Sequence, residues 1–167
     1  LLIAYNRPSL TSQVFEQIRQ VRPHQLFFAV DGPRQDKSED LQLIHQTRQV
    51  IDKVNWHCEV KTLFHKENLG CKNGVIAAIN WFFENVESGI ILEDDCKPNL
   101  EFFLFCTELL EYYKNDERIF TISGNNFNQG LLSTNKANFS YDFSIYCLIW
   151  GWATWKRACN YNNKKML

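Results

Sequence analysis

The chain has 167 residues, 45% of them hydrophobic and 22% charged, and a formal net charge of -1. This size and composition are typical of a globular protein with one domain and its own core. A near-neutral chain with no basic run lacks the electrostatic footprint of a nucleic-acid-binding protein, so we expect no nucleic-acid partner. No apolar run approaches the length of a transmembrane helix, so we expect no transmembrane segment in this chain.

The six cysteines form no C-x-x-C pair and have no zinc-finger spacing. We therefore expect reduced thiols and a cytoplasmic protein. The chain opens on a strand-like segment without a Met and stops in a polar stretch after an aromatic cluster. These ends suggest a fragment of a longer protein, with any membrane association supplied by parts outside this chain.

Apolar runs alternate with amphipathic stretches along the whole chain. The predicted strands are residues 1–5, 26–30, 60–64, 90–92 and 119–123, and the predicted helices are residues 10–21, 41–54, 75–86 and 98–113. Strands that alternate with helices predict βαβ units, and therefore an α/β fold with a mainly parallel sheet flanked by helices. In such sheets, ligands bind beyond the carboxyl ends of the strands.

Polar groups follow three of these strands at the point where each ends. Arg7 follows the first strand, Asp31 the second, and Glu93-Asp94-Asp95 the fourth. Because parallel strands end at the same edge of a sheet, we expect these groups to converge there.

The acid run Glu93-Asp94-Asp95 has two interpretations. Three adjacent carboxylates repel one another, which costs free energy unless a cation or hydrogen bonds compensate. Mg²⁺ and Mn²⁺ are hard ions of the kind that bind one or two carboxylates and complete their shell with phosphate oxygens. Alternatively, the last acid caps the helix that starts near Pro98, which the run by itself favours. Its neighbours shift the balance towards a metal site.

Three further residues have both a binding and a local interpretation. Asp31 precedes a Gly-Pro turn, where its carboxylate accepts a uracil N–H or simply stabilises the turn. Arg7 either grips a phosphate or is a solvated charge. Lys72 lies in the first turn of the third helix, where backbone N–H groups favour an anion; alternatively, this is an ordinary helix start capped by Asn68.

The aromatic segment near the C-terminal end contains Trp150, Gly151, Trp152 and Trp155. Indole faces stack on sugar rings, and a glycine lets the backbone approach a ligand. The alternative is aromatic core packing on a β-ribbon, where alternation sends one Trp inward and the next outward. Both interpretations stay open.

These segments together resemble a known family. Residues 1–8, 30–32, 67–70 and 90–95 look like the nucleotide-sugar half of a glycosyltransferase with the GT-A fold, a Rossmann-like architecture. Residues 89–103 are most similar to N-acetylglucosaminyltransferase I and its relatives, which carry an E-D-D in the same strand-loop-helix setting. The chain also resembles related family 2-like bacterial glycosyltransferases, and the resemblance covers nearly its whole length.

The resemblance implies a role for each donor-side residue. Asp95 would ligate Mn²⁺ or Mg²⁺, and Glu93 and Asp94 would contact the ribose and sugar of the donor. Asp31 would bind the uracil, and Arg7 the diphosphate. These roles imply metal-dependent, inverting transfer from a nucleoside-diphosphate sugar, which we expect to be a UDP-sugar, to a glycan or protein acceptor.

On the acceptor side, Trp150, Gly151 and Trp152 resemble the glycine–tryptophan segment of those enzymes. The resemblance divides a single domain, residues 1–167, into a donor-binding half, 1–126, and the start of an acceptor-side half, 127–167. It puts the general base beyond Leu167, so no catalytic base is assigned.

Two other functions compete with the transferase hypothesis. One is a nucleotide- or carbohydrate-binding module without catalysis, or a truncated enzyme. The other is a sugar-phosphate nucleotidyltransferase, which needs a glycine-rich loop after the first strand to hold a triphosphate. Residues 4–8 contain no glycine, so the nucleotidyltransferase is the least favoured of the three.

Overall fold

A computed structural model describes residues 1–125 and 141–165, with side chains described up to residue 160. Its strands are β1 Leu2–Ala4, β2 Gln25–Val30, β3 Glu59–Phe64, β4 Ser88–Glu93, β5 Thr121–Ser123 and β6 Trp152–Trp155. Its helices are α1 Pro8–Val21, α2 Ser38–Arg48, α3 Gly70–Asn85, α4 Leu100–Tyr112 and α5 Lys156–Lys165, and a 3-10 turn, Gln49–Lys53, follows α2.

The six strands form one sheet in the order β3-β2-β1-β4-β6-β5. Strand β1 pairs parallel with β2 and β4, and β2 pairs parallel with β3, whereas β6 is antiparallel to both β4 and β5. The predicted α/β architecture, a mainly parallel sheet flanked by helices, is therefore confirmed. The predicted boundary between residues 126 and 127 lies outside the described residues.

The central strand β1 is buried on both faces, which explains its uninterrupted apolar sequence. Leu2 and Ala4 pack into one core cluster with Phe15 of α1, whereas Ile3 points to the other face and packs with Phe82 of α3. Fully burying one such aromatic side chain contributes about 1.5–3 kcal/mol before entropy costs. These two apolar layers hold α1 and α3 on opposite faces of the sheet.

Three details differ from the sequence-based prediction. The predicted helix over 41–54 is α2 followed by the separate 3-10 turn. Glu93 is the last residue of β4 and pairs with Ile3, so only Asp94 and Asp95 follow the strand. Strand β6 has no counterpart among the predicted strands: it has only four residues, W-A-T-W, and three of them are buried between β4 and β5, so its sequence shows no alternation of apolar and polar residues.

Among the described residues, no helix combines the length and the apolar content needed to cross a bilayer. All six cysteines lie in the described part and are free thiols.

The parallel pairing brings three loops to one edge of the sheet. Val30, the last residue of β2, pairs with Ala4, the last of β1, and Glu93 pairs with Ile3. The loops after β1, β2 and β4 are therefore neighbours in space. We call this edge the carboxyl edge, and it carries Arg7, Asp31 and the acid run.

Candidate functional site

Arg7 and the acid run are in direct contact at the carboxyl edge. Arg7 precedes α1, and its guanidinium contacts Asp94 with Nη2 2.5 Å from Oδ1 and Asp95 with Nη1 3.1 Å from Oδ2. The Nε of Arg7 lies 3.3 Å from Oδ2 of Asp94. The backbone N–H of Tyr5 donates to the same Oδ2 at 3.2 Å. One arginine thus bridges two carboxylates that follow β4.

Asp94 is the buried member of this run, with a side chain only 2% exposed. Burial raises its pKa even though Arg7 and the Tyr5 N–H act in the opposite direction. The resemblance implied contact between Asp94 and the donor, but its oxygens are already held by Arg7 and Tyr5. In this structure, Asp94 fixes the position of Arg7.

Glu93 is half-buried at the end of β4 and adds a further negative charge to the acid run. Its pKa is raised first by burial and then by repulsion from Asp95 and Asp94. Within the acid run, one guanidinium faces three carboxylates, so negative charge remains uncompensated. Such a cluster favours the approach of a cation.

Asp95 is the exposed member, with 40% of its side chain accessible. Burial acts to raise its pKa, but hydrogen bonds and charge from Trp150 and Arg7 outweigh it, and the pKa is lowered. The indole Nε1 of Trp150 donates to Oδ1 at 3.3 Å. Asp95 therefore presents an ionised carboxylate at the carboxyl edge.

The alternative role of Asp95 as a helix cap is wrong. The residue that caps α4 is Asn99, whose Oδ1 accepts the backbone N–H of Phe102 at 3.0 Å. Asp95 lies several residues earlier in the loop, and its side-chain contacts are with Arg7, Cys96 and Trp150.

No group of three or more His, Cys, Asp or Glu side chains is arranged to hold a metal within residues 1–125 and 141–160. Asp95 offers one accessible carboxylate, which is the hard oxygen ligand that Mg²⁺ and Mn²⁺ prefer. Mg²⁺ usually keeps several waters and takes other ligands from a bound phosphate. The donor set thus fits a cation shared with a phosphorylated ligand, and it does not form an all-protein cage.

Asp31 is strongly engaged within the chain. Its Oδ1 accepts the N–H groups of Gly32 at 2.8 Å and Leu69 at 3.0 Å. Its Oδ2 accepts from Asn68 Nδ2 at 3.1 Å and again from Leu69 at 3.2 Å. A carboxylate offers about four acceptor positions, so a nucleobase N–H would have to share them. The observed role of Asp31 is to hold the turn before α3.

The start of α3 was expected to favour an anion, and the carboxylate of Asp31 occupies that position in the structure. Leu69, not Asn68, takes the N-cap position of α3, and Leu69 has no side-chain capping bond. Asn68 still binds the start of the helix, because its Oδ1 accepts the backbone N–H of Gly70 at 3.1 Å. Its Nδ2 donates to Asp31 and to the carbonyl of Gly32. Lys72, in the first turn of α3, is exposed.

Close contact between the loops after β2 and β3 requires Gly32. A Cβ at this position would lie 2.4 Å from the backbone carbonyl carbon and oxygen of Glu67. The backbone cannot yield as a flexible side chain would, so the Asp31–Asn68 contact depends on this glycine.

Two buried nitrogens lie on the Asp31 side of the carboxyl edge. Arg48 donates from Nη2 to the carbonyl of His65 at 2.6 Å, and its guanidinium lies 5.0 Å from the ring centre of Phe64. Arg48 Nε and His65 Nε2 are buried and have no hydrogen-bond partner among the described residues. They therefore retain hydrogen-bonding capacity for a ligand or for water.

Asp40 is a site residue that sequence analysis missed. It is fully buried at the start of α2, where its carboxylate accepts from Tyr5 Oη at 2.6 Å and Asn6 Nδ2 at 2.8 Å. Arg34 donates to it from Nε at 2.7 Å, from Nη2 at 2.9 Å and from its backbone N–H at 3.2 Å. We call these four residues the Asp40 cluster.

The electrostatics of the Asp40 cluster are self-contained. The hydrogen bond from Arg34 is the main cause of a lowered pKa for Asp40, ahead of burial, which acts to raise it. Burial, followed by the bond to Asp40, raises the pKa of Tyr5 to about 12. No sequence signal separates Asp40 from its exposed neighbours Asp36 and Glu39, because all three lie in one polar stretch.

The three acceptor-side residues have different environments. Trp150 is 58% exposed and contacts Asp95, as described above. Gly151 is buried with φ +75°, a backbone conformation that favours glycine, and its role in ligand approach stays a prediction. Trp152 is half-buried against the α3-side core. Trp155 is buried, and its Nε1 donates to Leu110 O at 3.1 Å. Core packing thus describes Trp155 and, in part, Trp152, whereas stacking of a sugar ring on the exposed Trp150 stays a prediction.

Comparison with known proteins adds no assignment to this geometry. The chain matches no protein-family model. A search of curated proteins also gives no match.

Proposed function

We propose that this chain is the nucleotide-sugar-binding part of a metal-dependent glycosyltransferase with the GT-A fold. It would transfer a sugar from a nucleoside-diphosphate sugar, a UDP-sugar in our proposal, to a glycan or protein acceptor with inversion. One observation carries the proposal: the exposed carboxylate of Asp95 contacts Arg7 at the carboxyl edge, beside uncompensated acids.

The donor diphosphate would bind between a cation and Arg7. Asp95 would hold Mn²⁺ or Mg²⁺, which when bound neutralises charge on the departing diphosphate. The guanidinium of Arg7 is suited to bind phosphate oxygens, and its contact with the buried Asp94 keeps it in place. In this proposal Asp94 acts through Arg7, whereas Glu93 and Lys72 are the nearby charged groups available to the rest of the donor.

The nucleobase would lie on the Asp31 side of the same edge. Among the described residues, Arg48 Nε and His65 Nε2 have no hydrogen-bond partner there; the Arg48 N–H can donate to a base, and His65 Nε2 can donate or accept. Asp31 supports this region by fixing the turn before α3 and shares its oxygens with the base N–H.

The acceptor would approach from the side of Trp150. Its exposed indole lies next to Asp95 and offers a face on which a sugar ring can stack. Inverting transfer also requires a general base, and no described residue is assigned that role here.

Calorimetric titration with UDP tests the metal role. We expect UDP to bind in the presence of Mn²⁺ and to bind at least about tenfold more weakly when the metal is removed by a chelator. Asp95→Ala should abolish this dependence, whereas Asp52→Ala removes an exposed carboxylate elsewhere and should leave it intact. Equal UDP affinity with and without Mn²⁺ would contradict the assignment of Asp95.

Measurement of UDP released from UDP-sugars separates an enzyme from a binding module. Turnover that requires Mn²⁺ and Asp95 supports the transferase. Metal-dependent UDP binding without turnover, in this chain and in a longer form, supports a binding module instead.

A further inference from the structure

A polar and aromatic pocket, distinct from the carboxyl edge, lies at the C-terminal end of α4. It has a volume of about 630 Å³ and is lined by Tyr112, Tyr113, Asp116, Arg118, Ile119 and Phe143. This volume lies within the range of about 300–1,000 Å³ that is common for small-molecule sites. We call it the tyrosine pocket. Helix α4 starts near the acid run and ends at Tyr112, so its 13 residues separate the two sites by roughly 20 Å.

Two aromatic rings of the tyrosine pocket are open to solvent. Tyr112 is 76% exposed and Phe143 is 69% exposed. Tyr113 lies between them and makes edge-to-face contacts, with ring centres 4.7 Å from Tyr112 and 6.0 Å from Phe143. Its hydroxyl is 2.7 Å from that of Tyr141. These contacts fix the rings relative to one another while leaving apolar surface uncovered.

Among the described residues that line the pocket, one is negatively charged, Asp116, and one is positively charged, Arg118. Arg118 forms a two-point contact with Asp116, with Nη2 2.7 Å from Oδ2 and Nε 2.9 Å from Oδ1. The hydrogen bond from Arg118 lowers the pKa of Asp116 to about 2, so both groups stay charged at neutral pH and cancel each other. A phosphate would favour a positive pocket and a basic peptide a negative one, so the pair suits a neutral polar ligand.

Arg157 holds the loop that carries this pair. Its guanidinium donates to four backbone carbonyls between the end of α4 and the start of β5: those of Tyr113, Lys114, Asp116 and Ile119. It also lies 4.4 Å from the ring centre of the buried Trp155. The loop is therefore anchored to the core without any ligand, and binding would need little reorganisation.

We propose that the tyrosine pocket is a carbohydrate-binding site for a neutral oligosaccharide. A pyranose ring has an apolar C–H face that stacks on Tyr112 or Phe143, and its hydroxyls can exchange hydrogen bonds with Asp116 and Arg118. The site is separate from the donor site, and the inference does not depend on the transferase proposal. In a glycosyltransferase it would hold part of a glycan away from the reacting end.

Saturation-transfer NMR tests this site with three neutral probes: cellotriose, chitotriose and maltotriose, each at about 10 mM, a concentration suited to weak sugar binding. We expect saturation transfer from the protein to at least one of the probes. Tyr112→Ala and Arg118→Ala each remove an exposed side chain and should weaken binding about tenfold. Leu104→Ala, which removes an exposed apolar side chain from the same helix, is the matched control and should bind normally.

Two results would overturn the inference: no saturation transfer from the protein to any of the three probes, or equal saturation transfer from the wild type and from both pocket variants. Asp95→Ala distinguishes this site from the donor site. This variant should leave the saturation-transfer signal of the oligosaccharides unchanged even where it abolishes metal-dependent UDP binding. Loss of UDP binding alone would test the donor site and not the tyrosine pocket. Loss of the saturation-transfer signal in a folded Asp95→Ala variant would locate sugar binding at the carboxyl edge and would refute sugar binding in the tyrosine pocket.

Discussion

Asp40 and Asp94 are both buried carboxylates, and both depend on the same turn after β1. Tyr5 Oη and Asn6 bind Asp40, whereas the Tyr5 backbone N–H and Arg7 bind Asp94. The outcome differs: the pKa of Asp40 is lowered, and that of Asp94 is raised. Similar burial therefore produces opposite electrostatic results.

The number of donors and the surrounding charge explain the difference. Asp40 accepts five hydrogen bonds from three residues and shares Arg34 with no other carboxylate in the cluster. Asp94 shares Arg7 with Asp95 and lies beside Glu93. The first cluster is internally neutralised and supports the fold, whereas the second leaves negative charge available for a ligand.

The largest expected effect is on stability, from Asp40→Ala. This change leaves the Arg34 guanidinium and three other donors without their acceptor, and we expect Tm to fall by about 10 °C. Thermal unfolding followed by circular dichroism measures the change. Asp36→Ala removes an exposed carboxylate from the same stretch and should shift Tm by no more than about 2 °C. Equal shifts in the two variants would show that the Asp40 cluster is not structural.

Arg7→Ala should affect stability less than Asp40→Ala does, but it should also weaken UDP binding. The guanidinium is half-exposed, so water replaces part of the lost interaction, and Tm should fall by about 5 °C, less than for Asp40→Ala. Affinity for UDP in the presence of Mn²⁺ should fall about tenfold or more. Calorimetry and thermal unfolding of the same samples give both values. Unchanged UDP affinity would remove Arg7 from the proposed diphosphate site.

Acid should reduce the difference in stability between the wild type and Asp40→Ala. The folded-state pKa of Asp40 is below its unfolded value, so its stabilising contribution is complete above that unfolded value, about pH 3.9, and is lost as pH falls towards the folded pKa. Urea midpoints at pH 7, 4 and 3 should therefore converge for the two proteins as pH decreases. A constant difference across this range would contradict the lowered pKa.

The smallest effects should separate the two ends of the tryptophan segment. Trp155→Phe loses a buried hydrogen bond and packing volume and should cost about 1–2 kcal/mol of stability. Trp150→Phe loses one partly exposed bond to Asp95 and should change stability by less than about 0.5 kcal/mol. Urea unfolding measures both. A cost for Trp150→Phe as large as that for Trp155→Phe would assign Trp150 to the core.

Periodicity was sufficient to predict the main elements of this fold. The apolar run of β1 and the helical spacing of α1 reflect burial on two faces and on one face, respectively, and both patterns are local. Strand ends also predicted that Arg7, Asp31 and the acid run belong to one edge. These inferences succeeded because parallel strands place consecutive loops side by side.

The sequence by itself thus determined the alternation of strands and helices and the loops in which polar groups accumulate. Only the tertiary structure decided which acid is buried, which is exposed and which is fully hydrogen-bonded. Asp40, Asp94 and Asp95 have the same side chain, and their differences arise from donors up to 89 residues away along the chain. Burial and long-range hydrogen bonding are properties of packing, so neither can be read from local sequence.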